Sequence, residues 1–411
     1  MRKLSKFEKI FITITKIYVK NHPAHSFTYT FDNIQYPQIG DSKNNIKVTF
    51  HNSESVFTRI FTEGSLGLGE SYCEGNIEVD DLDYKHFMMI FVKISSNKRL
   101  LLQLPLADIY QVVKAKLTKP PLEKMNQSEN INTHYSLSDW FENEEDSNTF
   151  YLYWLNSKYI QYTCAKWDPT TKNLEEAQKN KFEFYAKRLG IDKTSKNKTL
   201  LDLGCGWGGF MFYLAETYGL KCTGLTLSNA QVHYIEEESK KRKLTGRVDV
   251  IHENAHNMTG TWDYIISIGL LEHIDDYDDL YSKTAKSLDK NGKALFHAIH
   301  HEHSPYIRDT FLDKYIFPGG ATPNIYKNVK ILKKYFSLVE RNDLPKLSYP
   351  KTLDCWYRLF CKNQNKIKKL LQKKGRCKDP DYAIRIFKHY LTLSESALTN
   401  SGLVSNILVY N

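Results

Sequence analysis

The sequence lacks any run of about 20 consecutive apolar residues, the length that a membrane-spanning helix needs. The apolar segment at residues 7–19 is interrupted by Glu8, Lys9 and Lys16, so it predicts neither an anchor nor a signal peptide. Glycine and proline are few, at 20 and 12 of 411 residues, and we find no repeat or low-complexity tract, which excludes collagen-like and disordered chains. We therefore expect a soluble globular protein.

The sequence also lacks paired cysteines. Its seven cysteines are scattered without a Cys-x-x-Cys spacing, which excludes a disulfide scaffold and argues against a structural zinc site. We expect reduced thiols and a cytoplasmic location. The formal net charge of +10 suits an anionic partner such as a phospholipid surface. No basic and aromatic recognition run is present, so we expect no nucleic-acid partner.

The length predicts two to three domains of about 150 residues. Residues 1–120 combine alternating apolar positions at 46–50 with helical spacing at 86–94, which predicts a small α+β domain. A polar, proline-bearing stretch predicts a linker at 121–133. Residues 134–411 are expected to form a second domain, in which the acidic segment 142–148 is predicted to be an exposed loop.

From about residue 180 onward, short aliphatic runs alternate with helix-length segments, a pattern typical of a parallel sheet built from βαβ units. Helices are expected from about Trp207 and Asn229. The predicted strands are Thr199–Leu203, Lys221–Leu225, Val248–His252, Tyr264–Ile268 and Ala294–Ile299. This alternation predicts an α/β, doubly wound, Rossmann-like domain.

The first predicted strand runs into a glycine-rich turn, LLDLGCGWGGF (200–210). Glycine permits the tight turn and lets a ligand approach the backbone closely. Gly208 follows Gly206 by two residues, so the dinucleotide fingerprint Gly-x-Gly-x-x-Gly is not matched. The spacing instead resembles the S-adenosylmethionine loop of Rossmann-like methyltransferases. A tight turn without a ligand is the alternative.

The second predicted strand lacks the acid that dinucleotide enzymes use to hold ribose hydroxyls, since this place reads GLTLSNAQ (224–231). Thr226 and Gln231 are the polar residues available to bind a ligand there. They are equally well explained as residues that cap the next helix.

Motifs across residues 55–400 resemble the cyclopropane-fatty-acyl-phospholipid synthase family. The N-terminal block discriminates best, because related mycolic-acid and small-molecule methyltransferases generally lack its domain. The matching motifs are EGSLGLGESYCEG (63–75), YTCAKW (162–167), LLDLGCGWGG (200–209), GLTLSNAQ (224–231), SIGLLEH (267–273), HAI (297–299), KYIFPGG (314–320) and SYPKTLDCWYRLF (348–360).

The resemblance implies transfer of a methylene group from S-adenosylmethionine to the cis double bond of a phospholipid acyl chain, through a carbocation that bound bicarbonate deprotonates. Water would trap such a cation, so the pocket must be dry. The resemblance assigns the bicarbonate ligands to Cys164, Glu272, His297, the Ile299 backbone and Tyr349. It assigns the cofactor contacts to Tyr162, Thr163, Gly204, Gly206, Trp207, Gly208, Thr226 and Gln231.

The catalytic candidates also have structural explanations. Cys164 would serve as a small buried apolar residue, Glu272 as an acid favoured at a helix start, and His297 as a core histidine. Their joint presence in matching motifs favours the catalytic interpretation.

Three positions depart from the family pattern. Ala255 stands where relatives place an aromatic residue near the adenine, Ser136 lies in the variant motif HYSLSDW (134–140), and Ser394 replaces a cysteine of the C-terminal helix. A serine cannot act as a thiolate without an activating base. Since the implied mechanism needs no covalent intermediate, we expect that cysteine to be dispensable.

Two further segments carry unusual charge. HAIHHEH (297–303) suggests a metal cluster, but a histidine-rich loop is the preferred interpretation and no metal is expected. The segment 362–378 holds eight basic residues and no acid, with Ile367, Leu370 and Leu371 on one helical face. It is either a solvated helix face or a patch that docks on anionic lipid.

The sequence thus predicts a peripheral membrane enzyme of two domains, with an N-terminal lipid-engaging domain and a Rossmann-like class I methyltransferase domain. Its expected partner is a phospholipid at a membrane surface, and relatives suggest a homodimer. A lipid methyltransferase that leaves a methyl branch and a non-catalytic lipid-binding relative are the alternatives.

Overall fold

The computed structural model describes residues 2–117, 140–141, 143–155, 158–302, 309–373, 377–401 and 403–410. The predicted linker 121–133 and Ser136 lie outside these residues. The chain forms two compact units. The first consists of Met1–Lys124, Asp309–Ile316 and Asp379–Asn400, and the second of Met125–Arg308, Phe317–Lys378 and Ser401–Asn411.

The helices, in chain order, are α1 (Lys6–Asn21), α2 (Ser53–Glu63), α3 (Ser65–Cys73), α4 (Asp81–Ser96), α5 (Lys98–Leu101), α6 (Leu106–Leu117), α7 (Glu144–Leu155), α8 (Leu174–Leu189), α9 (Gly209–Tyr218), α10 (Asn229–Lys241), α11 (Tyr277–Ser287), α12 (Thr310–Tyr315), α13 (Ile325–Leu332), α14 (Ser348–Gln372) and α15 (Pro380–Ser401). The strands are β1 (Ser26–Phe31), β2 (Ile34–Gln35), β3 (Asn45–Phe50), β4 (Ile77–Glu78), β5 (Thr199–Leu203), β6 (Lys221–Thr226), β7 (Val248–His252), β8 (Trp262–Ile268), β9 (Leu288–His300), β10 (Leu338–Asp343) and β11 (Leu403–Tyr410). Short 3-10 turns occupy Lys193–Ser195, Ala255–Asn257 and Leu271–His273.

The first unit contains a four-stranded sheet in the order β2-β1-β3-β4. Its core is aromatic, since Phe11, Phe31, Phe50 and Phe57 are buried against one another. The predicted apolar alternation at 46–50 coincides with β3, and the helical spacing at 86–94 lies within α4. Helix α1 begins at a capping box in which the Ser5 side chain accepts from the Glu8 N–H.

Two segments from late in the chain complete the first unit. Lys388 of α15 donates to Asp81 at 2.7 Å, and Lys314 of α12 donates to Glu70 at 2.6 Å. Gly69 of α3 has no room for a side chain, because an added Cβ would lie 2.2 Å from the Phe311 ring. The prediction of a single domain over 134–411 thus differs from the observed division. The reason is that α12 and α15 carry side chains that pair with acids of the first 81 residues, a long-range match that local pattern does not reveal.

The second unit is built on a seven-stranded sheet in the order β10-β11-β9-β8-β5-β6-β7. Strands β5 to β9 are parallel, as predicted for a doubly wound domain, and β11 runs antiparallel between β9 and β10. Strands β10 and β11 were not predicted. The buried Ser405 and Asn406 interrupt the apolar run of β11, and β10 lies at an edge with a half-exposed polar sequence.

The chain order reverses beside β5, because β6 lies on one side of it and β8 on the other. In open α/β sheets such a switch point opens a crevice at the carboxyl ends of the strands, where ligands bind. Among the described residues, no helix is both long and apolar enough to cross a membrane. None of the seven cysteines, all of which lie among the described residues, forms a disulfide bond.

Candidate active site

A pocket opens at this switch point and encloses about 910 Å³, including the solvent at its mouth. We call it the cofactor pocket. Its walls come from the ends of β5, β6 and β8 and from the segments that follow β7 and precede α8. They are lined by residues that include Ile160, Gln161, Tyr162, Thr163, Asp202, Gly204, Cys205, Gly206, Trp207, Thr226, Gln231, Ala255 and His273. All the predicted cofactor residues are in this lining except Gly208.

The glycine-rich turn needs its glycines for backbone reasons. Gly204, Gly206 and Gly208 have φ angles of 72°, 55° and 70°, a region that side chains rarely tolerate. Helix α9 begins only at Gly209, two residues after the predicted start, because the left-handed Gly208 is its N-cap. Gly208 therefore fixes the conformation of the turn without lining the pocket, while Gly204 and Gly206 line it.

The end of β6 is held by side chains that also face the pocket. Thr226 donates to Gln231 Oε1 at 2.6 Å and accepts from the Ser228 N–H at 3.1 Å. The capping residue of α10 is Ser228, which accepts from the Gln231 N–H. Thr226 and Gln231 are thus part of the pocket wall, and the helix cap that competed with this interpretation is a different residue.

Asp202 provides a polar group that a ligand can use. It is buried at the end of β5, and its Oδ1 atom has no hydrogen-bond partner among the described residues. Burial raises the pKa of Asp202 to about 7, while nearby Lys181 opposes that rise. A buried carboxylate oxygen facing a pocket fits a ligand that carries hydroxyl or ammonium donors, as S-adenosylmethionine does.

Lys181 of α8 is completely buried beside the pocket. Its Nζ atom donates to Gln161 Oε1 at 2.9 Å and to Thr163 Oγ1 at 2.8 Å. Burial lowers its pKa to about 7, although Cys164 and Asp202 oppose that change. One ammonium group therefore fixes two pocket residues on the segment that precedes the candidate catalytic cysteine.

Asn148 holds the tryptophan of the glycine-rich turn. The Trp207 Nε1–H donates to Asn148 Oδ1 at 2.9 Å, and Asn148 Nδ2 donates to the Ala230 carbonyl at 2.8 Å. The prediction of an exposed loop at 142–148 was wrong, because α7 begins at Glu144 and residues 146–148 are buried. Its polar side chains are satisfied inside the protein, as Asp146 also pairs with Lys373 at 2.8 Å, so acidic composition did not mean exposure.

An aromatic cluster surrounds Tyr162, which lines the pocket. The ring centroids of Trp154 and Trp356 lie 5.2 and 5.4 Å from that of Tyr162, and the Phe317 centroid lies 6.4 Å away. Tyr151 connects this cluster to Trp207 at 4.8 Å. Such a wall excludes water and presents ring faces that attract cations.

The predicted catalytic residues occupy what we call the anion site, formed by Cys164, Glu272, His297, Ile299 and Tyr349. The half-buried Glu272 accepts from the Ile299 N–H through Oε1 at 2.7 Å, while its buried Oε2 atom has no partner among the described residues. Burial raises the pKa of Glu272 to about 7. The Ile299 N–H, predicted to face an anion directly, is thus engaged in holding Glu272.

His297 lies two residues before Ile299 on β9, on the same face of the strand. Its Nδ1 atom forms a short hydrogen bond with the Tyr185 hydroxyl. Burial places the pKa of His297 well below its usual value, and burial raises that of Tyr185 well above. Both side chains are therefore neutral near pH 7. When Tyr185 donates to Nδ1, the imidazole carries its hydrogen on Nε2, which is then a donor.

Cys164 and Tyr349 complete the site from the other side. Cys164 is fully buried and packs with Leu344 and Val404, against which Tyr349 also packs. Val404 of β11 pairs directly with Ile299. Burial raises the pKa of Cys164 to about 12, so the group is a thiol and a weak donor rather than a thiolate. The structure therefore brings all five predicted residues into one neighbourhood.

The remaining predicted features have these positions. His297 and His300 lie within β9, so the expected histidine-rich loop was wrong, and His300 hydrogen-bonds to Asn328 rather than facing the anion site.

Ala255 lies in the pocket wall, and Ser394 lies half-buried on α15 of the first unit. Residues 362–372 continue α14, with Ile367 and Leu371 buried and several lysines exposed.

Four polar residues of this region were not predicted from the sequence: Asn148, Lys181, Tyr185 and Asp202. Asp202 ends the first parallel strand beside the glycine turn, a position that could have identified it. The other three lie on α7 and α8, and their partners are far away in the sequence, so no local signal was available.

Known proteins are similar in sequence to this chain over most of its length. Residues 122–405 match the family described as mycolic acid cyclopropane synthetase. The chain is 29% identical over 310 residues to the cyclopropane-fatty-acyl-phospholipid synthase of Escherichia coli strain K12, which covers 74% of each chain. The predicted family resemblance is confirmed.

Solved structures give the fold. The cyclopropane synthase MmaA2 from Mycobacterium tuberculosis is similar with a TM-score of 0.60 and 24% identity, covering 71% of this chain and all of that one. A mycolic acid cyclopropane synthase complexed with SAH and CTAB gives a TM-score of 0.59 and 24% identity, covering 70% and 99%. At this identity the likeness concerns the fold alone, and it confirms the predicted Rossmann-like methyltransferase fold.

Proposed function

The chain belongs to the mycolic acid cyclopropane synthetase family, and from this membership we propose that it is a cyclopropane-fatty-acyl-phospholipid synthase. It is an enzyme, an S-adenosylmethionine-dependent methyltransferase, rather than a non-catalytic relative. In the proposed reaction an unsaturated phospholipid acyl chain gains a methylene group across its cis double bond. The new bond creates a carbocation on the chain, and loss of one proton closes the ring.

The observation that carries this proposal is the Glu272 Oε2 atom, which is buried and has no hydrogen-bond partner among the described residues. A carboxyl group whose pKa is raised to about 7 is in part protonated at neutral pH, so it can donate a hydrogen bond to an anion. The His297 imidazole and the Tyr349 phenol are further candidate donors, whereas the Cys164 thiol donates to the Ala165 carbonyl at 3.3 Å. This donor set fits bicarbonate, which when bound supplies the base that takes the proton.

The residues of the cofactor pocket are proposed to hold S-adenosylmethionine, which when bound supplies an electrophilic methyl group. Asp202 accepts hydrogen bonds from its polar groups, and Gly204 and Gly206 let it approach the backbone. Thr226 and Gln231 form the opposite wall. Lys181 orients this pocket through Gln161 and Thr163.

The aromatic cluster around Tyr162 supports a cationic intermediate on the substrate. Its rings exclude the water that would trap a carbocation, and their faces stabilise a nearby positive charge by about 0.5–2 kcal/mol. Neutral His297 and Tyr185 add no positive charge that would oppose it. The site is therefore suited to alkene alkylation in a dry environment.

The acyl chains of a phospholipid lie inside a bilayer, so the proposal includes peripheral association with a membrane surface from the cytoplasm. We propose the phospholipid as the partner and a homodimer as the assembly, with no role for nucleic acid.

The test is mass spectrometry of phospholipids from a cyclopropane-deficient bacterium that expresses the protein, its Glu272→Gln variant or its Glu237→Gln variant. Glu237 is an exposed acid of α10 and serves as the matched control. We expect a gain of one CH₂ on monounsaturated chains, resistant to mild hydrogenation, with wild type and Glu237→Gln only. The same gain as a saturated methyl branch would instead identify a branching lipid methyltransferase. No gain from a folded, cofactor-binding protein would contradict the proposed substrate.

A further inference from the structure

Helix α6 of the first unit exposes a stripe of large apolar side chains. Leu106, Tyr110 and Val113 are 85%, 61% and 50% exposed, and Leu102 just before the helix is 73% exposed. Soluble proteins rarely place so many exposed apolar groups together without an interaction that covers them. We call Leu106, Tyr110 and Val113 the α6 stripe.

The spacing of the stripe puts its side chains on one side of the helix. Positions i, i+4 and i+7 fall within a narrow arc of an α-helix. Val112 and the preceding Leu104 point elsewhere and are buried, at 8% and 5% exposure. The helix is thus attached to its unit by one side, and a second, independent apolar side remains exposed.

The charges next to the stripe are basic. Lys114 follows Tyr110 by one helical turn and is exposed, and Arg99 of α5 is exposed shortly before Leu102. Asp108, the acid of this helix, lies on the opposite side by helical spacing and is half-buried. An apolar strip bordered by cations is the pattern of helices that lie in the interface of an anionic membrane.

We infer that the α6 stripe docks on the surface of a bilayer containing anionic phospholipid, with Leu106, Tyr110 and Val113 inserted at the boundary between headgroups and acyl chains. Lys114 and Arg99 remain at headgroup level, where they meet lipid phosphates. This inference rests on the proposed function, which places the substrate in a membrane, and it names the surface that reaches it.

The basic segment of α14 is the other surface that the sequence suggested. Its apolar residues Ile367 and Leu371 are completely buried and Leu370 is half-buried, so that helix offers positive charge with little exposed apolar surface. The α6 stripe offers both. A second copy of this chain is the competing occupant, but the basic residues bordering the stripe favour an anionic surface over a patch that carries the same charges.

Flotation of the full chain with vesicles of phosphatidylcholine and phosphatidylglycerol tests the inference. We expect Leu106→Asp and Tyr110→Asp each to lower vesicle binding about tenfold. Lys114→Gln is expected to lower binding about fivefold on these vesicles and to have no effect on pure phosphatidylcholine. The matched control is Leu82→Asp, because Leu82 is a 63% exposed leucine on α4 of the same unit, and its binding should stay within about twofold of wild type.

Circular dichroism and thermal unfolding verify that each variant is folded. Wild-type binding by the folded Leu106→Asp and Tyr110→Asp variants would overturn the inference. A drop in sedimentation mass for these variants would overturn it in favour of a contact between two copies. Binding is measured without cofactor, and methylene transfer is measured separately on detergent-dispersed phospholipid, so a failure of the proposed chemistry leaves the docking result interpretable.

Discussion

The cofactor pocket and the anion site lie at the same edge of the sheet, but different parts of the chain form them: mainly backbone in the pocket and mainly side chains in the anion site. The pocket is shaped mainly by backbone conformation, with glycines at positive φ and short polar side chains at strand ends. The anion site is shaped by buried titratable side chains, with raised pKa values for Glu272 and Cys164 and a lowered pKa for His297. If the proposed roles hold, cofactor binding and proton transfer depend on separable features, which mutations can address one at a time.

Glu272→Gln is expected to have the largest effect, because it should lower the rate of methylene transfer without lowering cofactor affinity. This change keeps an acceptor for the Ile299 N–H but removes the group that is proposed to contact the anion. We expect methylene transfer to fall by about 10³-fold, the range typical of lost acid-base groups, with cofactor affinity within about threefold. Single-turnover kinetics and calorimetry measure the two quantities. A parallel loss of cofactor affinity would show that the two regions are not separable.

The pH dependence of the free energy of unfolding tests the raised pKa of Glu272, a property of the anion site alone. The folded protein raises the pKa of Glu272 to about 7, from about 4.3 in an unfolded chain, so between these values the folded state binds the extra proton. This contribution to stability is complete below about pH 4 and is lost as pH rises through 7. Urea unfolding should show wild type losing about 2 kcal/mol more than Glu272→Gln between pH 5 and pH 8. Equal pH slopes would contradict the raised pKa.

Gly204→Ala is expected to act on the pocket alone. Its φ of 72° costs an alanine about 1–2 kcal/mol, and the added Cβ would lie 3.1 Å from Leu270 Cδ1. Cofactor affinity should fall about tenfold, while the rate at saturating cofactor stays within about threefold. Gly246→Ala is the matched control, since Gly246 also has a positive φ but open space and no place in the pocket. Calorimetry of both variants makes the comparison.

Lys181→Met changes a residue that lies near both the cofactor pocket and the anion site. It removes the donor to Gln161 and Thr163, so we expect KM for the cofactor to rise about fivefold to tenfold. Because a buried ammonium is costly to desolvate, the melting temperature should stay the same or increase. Partial recovery of KM in Lys181→Gln, which restores a hydrogen-bond donor, would attribute the effect to orientation. A wild-type KM in Lys181→Met would remove Lys181 from the pocket.

The smallest effect is expected at Asn148. Asn148→Ala leaves the Trp207 Nε1–H without its acceptor, which should weaken cofactor binding about threefold to fivefold. Asn148→Asp keeps that acceptor but loses the donor to the Ala230 carbonyl, so it should lie nearer wild type. Fluorescence quenching of Trp207 by the cofactor measures both. Equal affinities for Asn148→Ala and wild type would exclude this positioning role.

The sequence allowed prediction of the parts that contiguous segments determine. The parallel strands β5 to β9 were predicted because each is a short apolar run followed by a turn signal, and the glycine turn was found by its spacing. Strand β11 was missed because Ser405 and Asn406 are buried polar residues within it. The candidate catalytic residues came from family resemblance, and their convergence depends on long-range packing that no local pattern contains.

The same limit applies to the first unit, where Lys388 and Lys85 of distant helices pair with Asp81 and Glu395. Such pairs unite segments about 300 residues apart in sequence. The prediction of an exposed acidic loop at 142–148 failed for a related reason, since Asp146 and Asn148 are polar but find partners within the second unit. Composition shows which segments are polar enough to be exposed to solvent. It does not show which of their polar groups have a hydrogen-bond or ion-pair partner inside the protein.

The assignment of α12 and α15 to the first unit has a consequence for synthesis. A chain emerging from the ribosome has made residues 1–117 long before it makes α15, so Tyr84 must wait for His389, its partner in the finished unit. Until then the buried surface of α3 and α4 is uncovered, and a protease or chaperone can reach it. The first unit therefore begins to be translated before the second unit but is complete only after α15 has been made, and a fragment that ends after α6 would lack part of its own core.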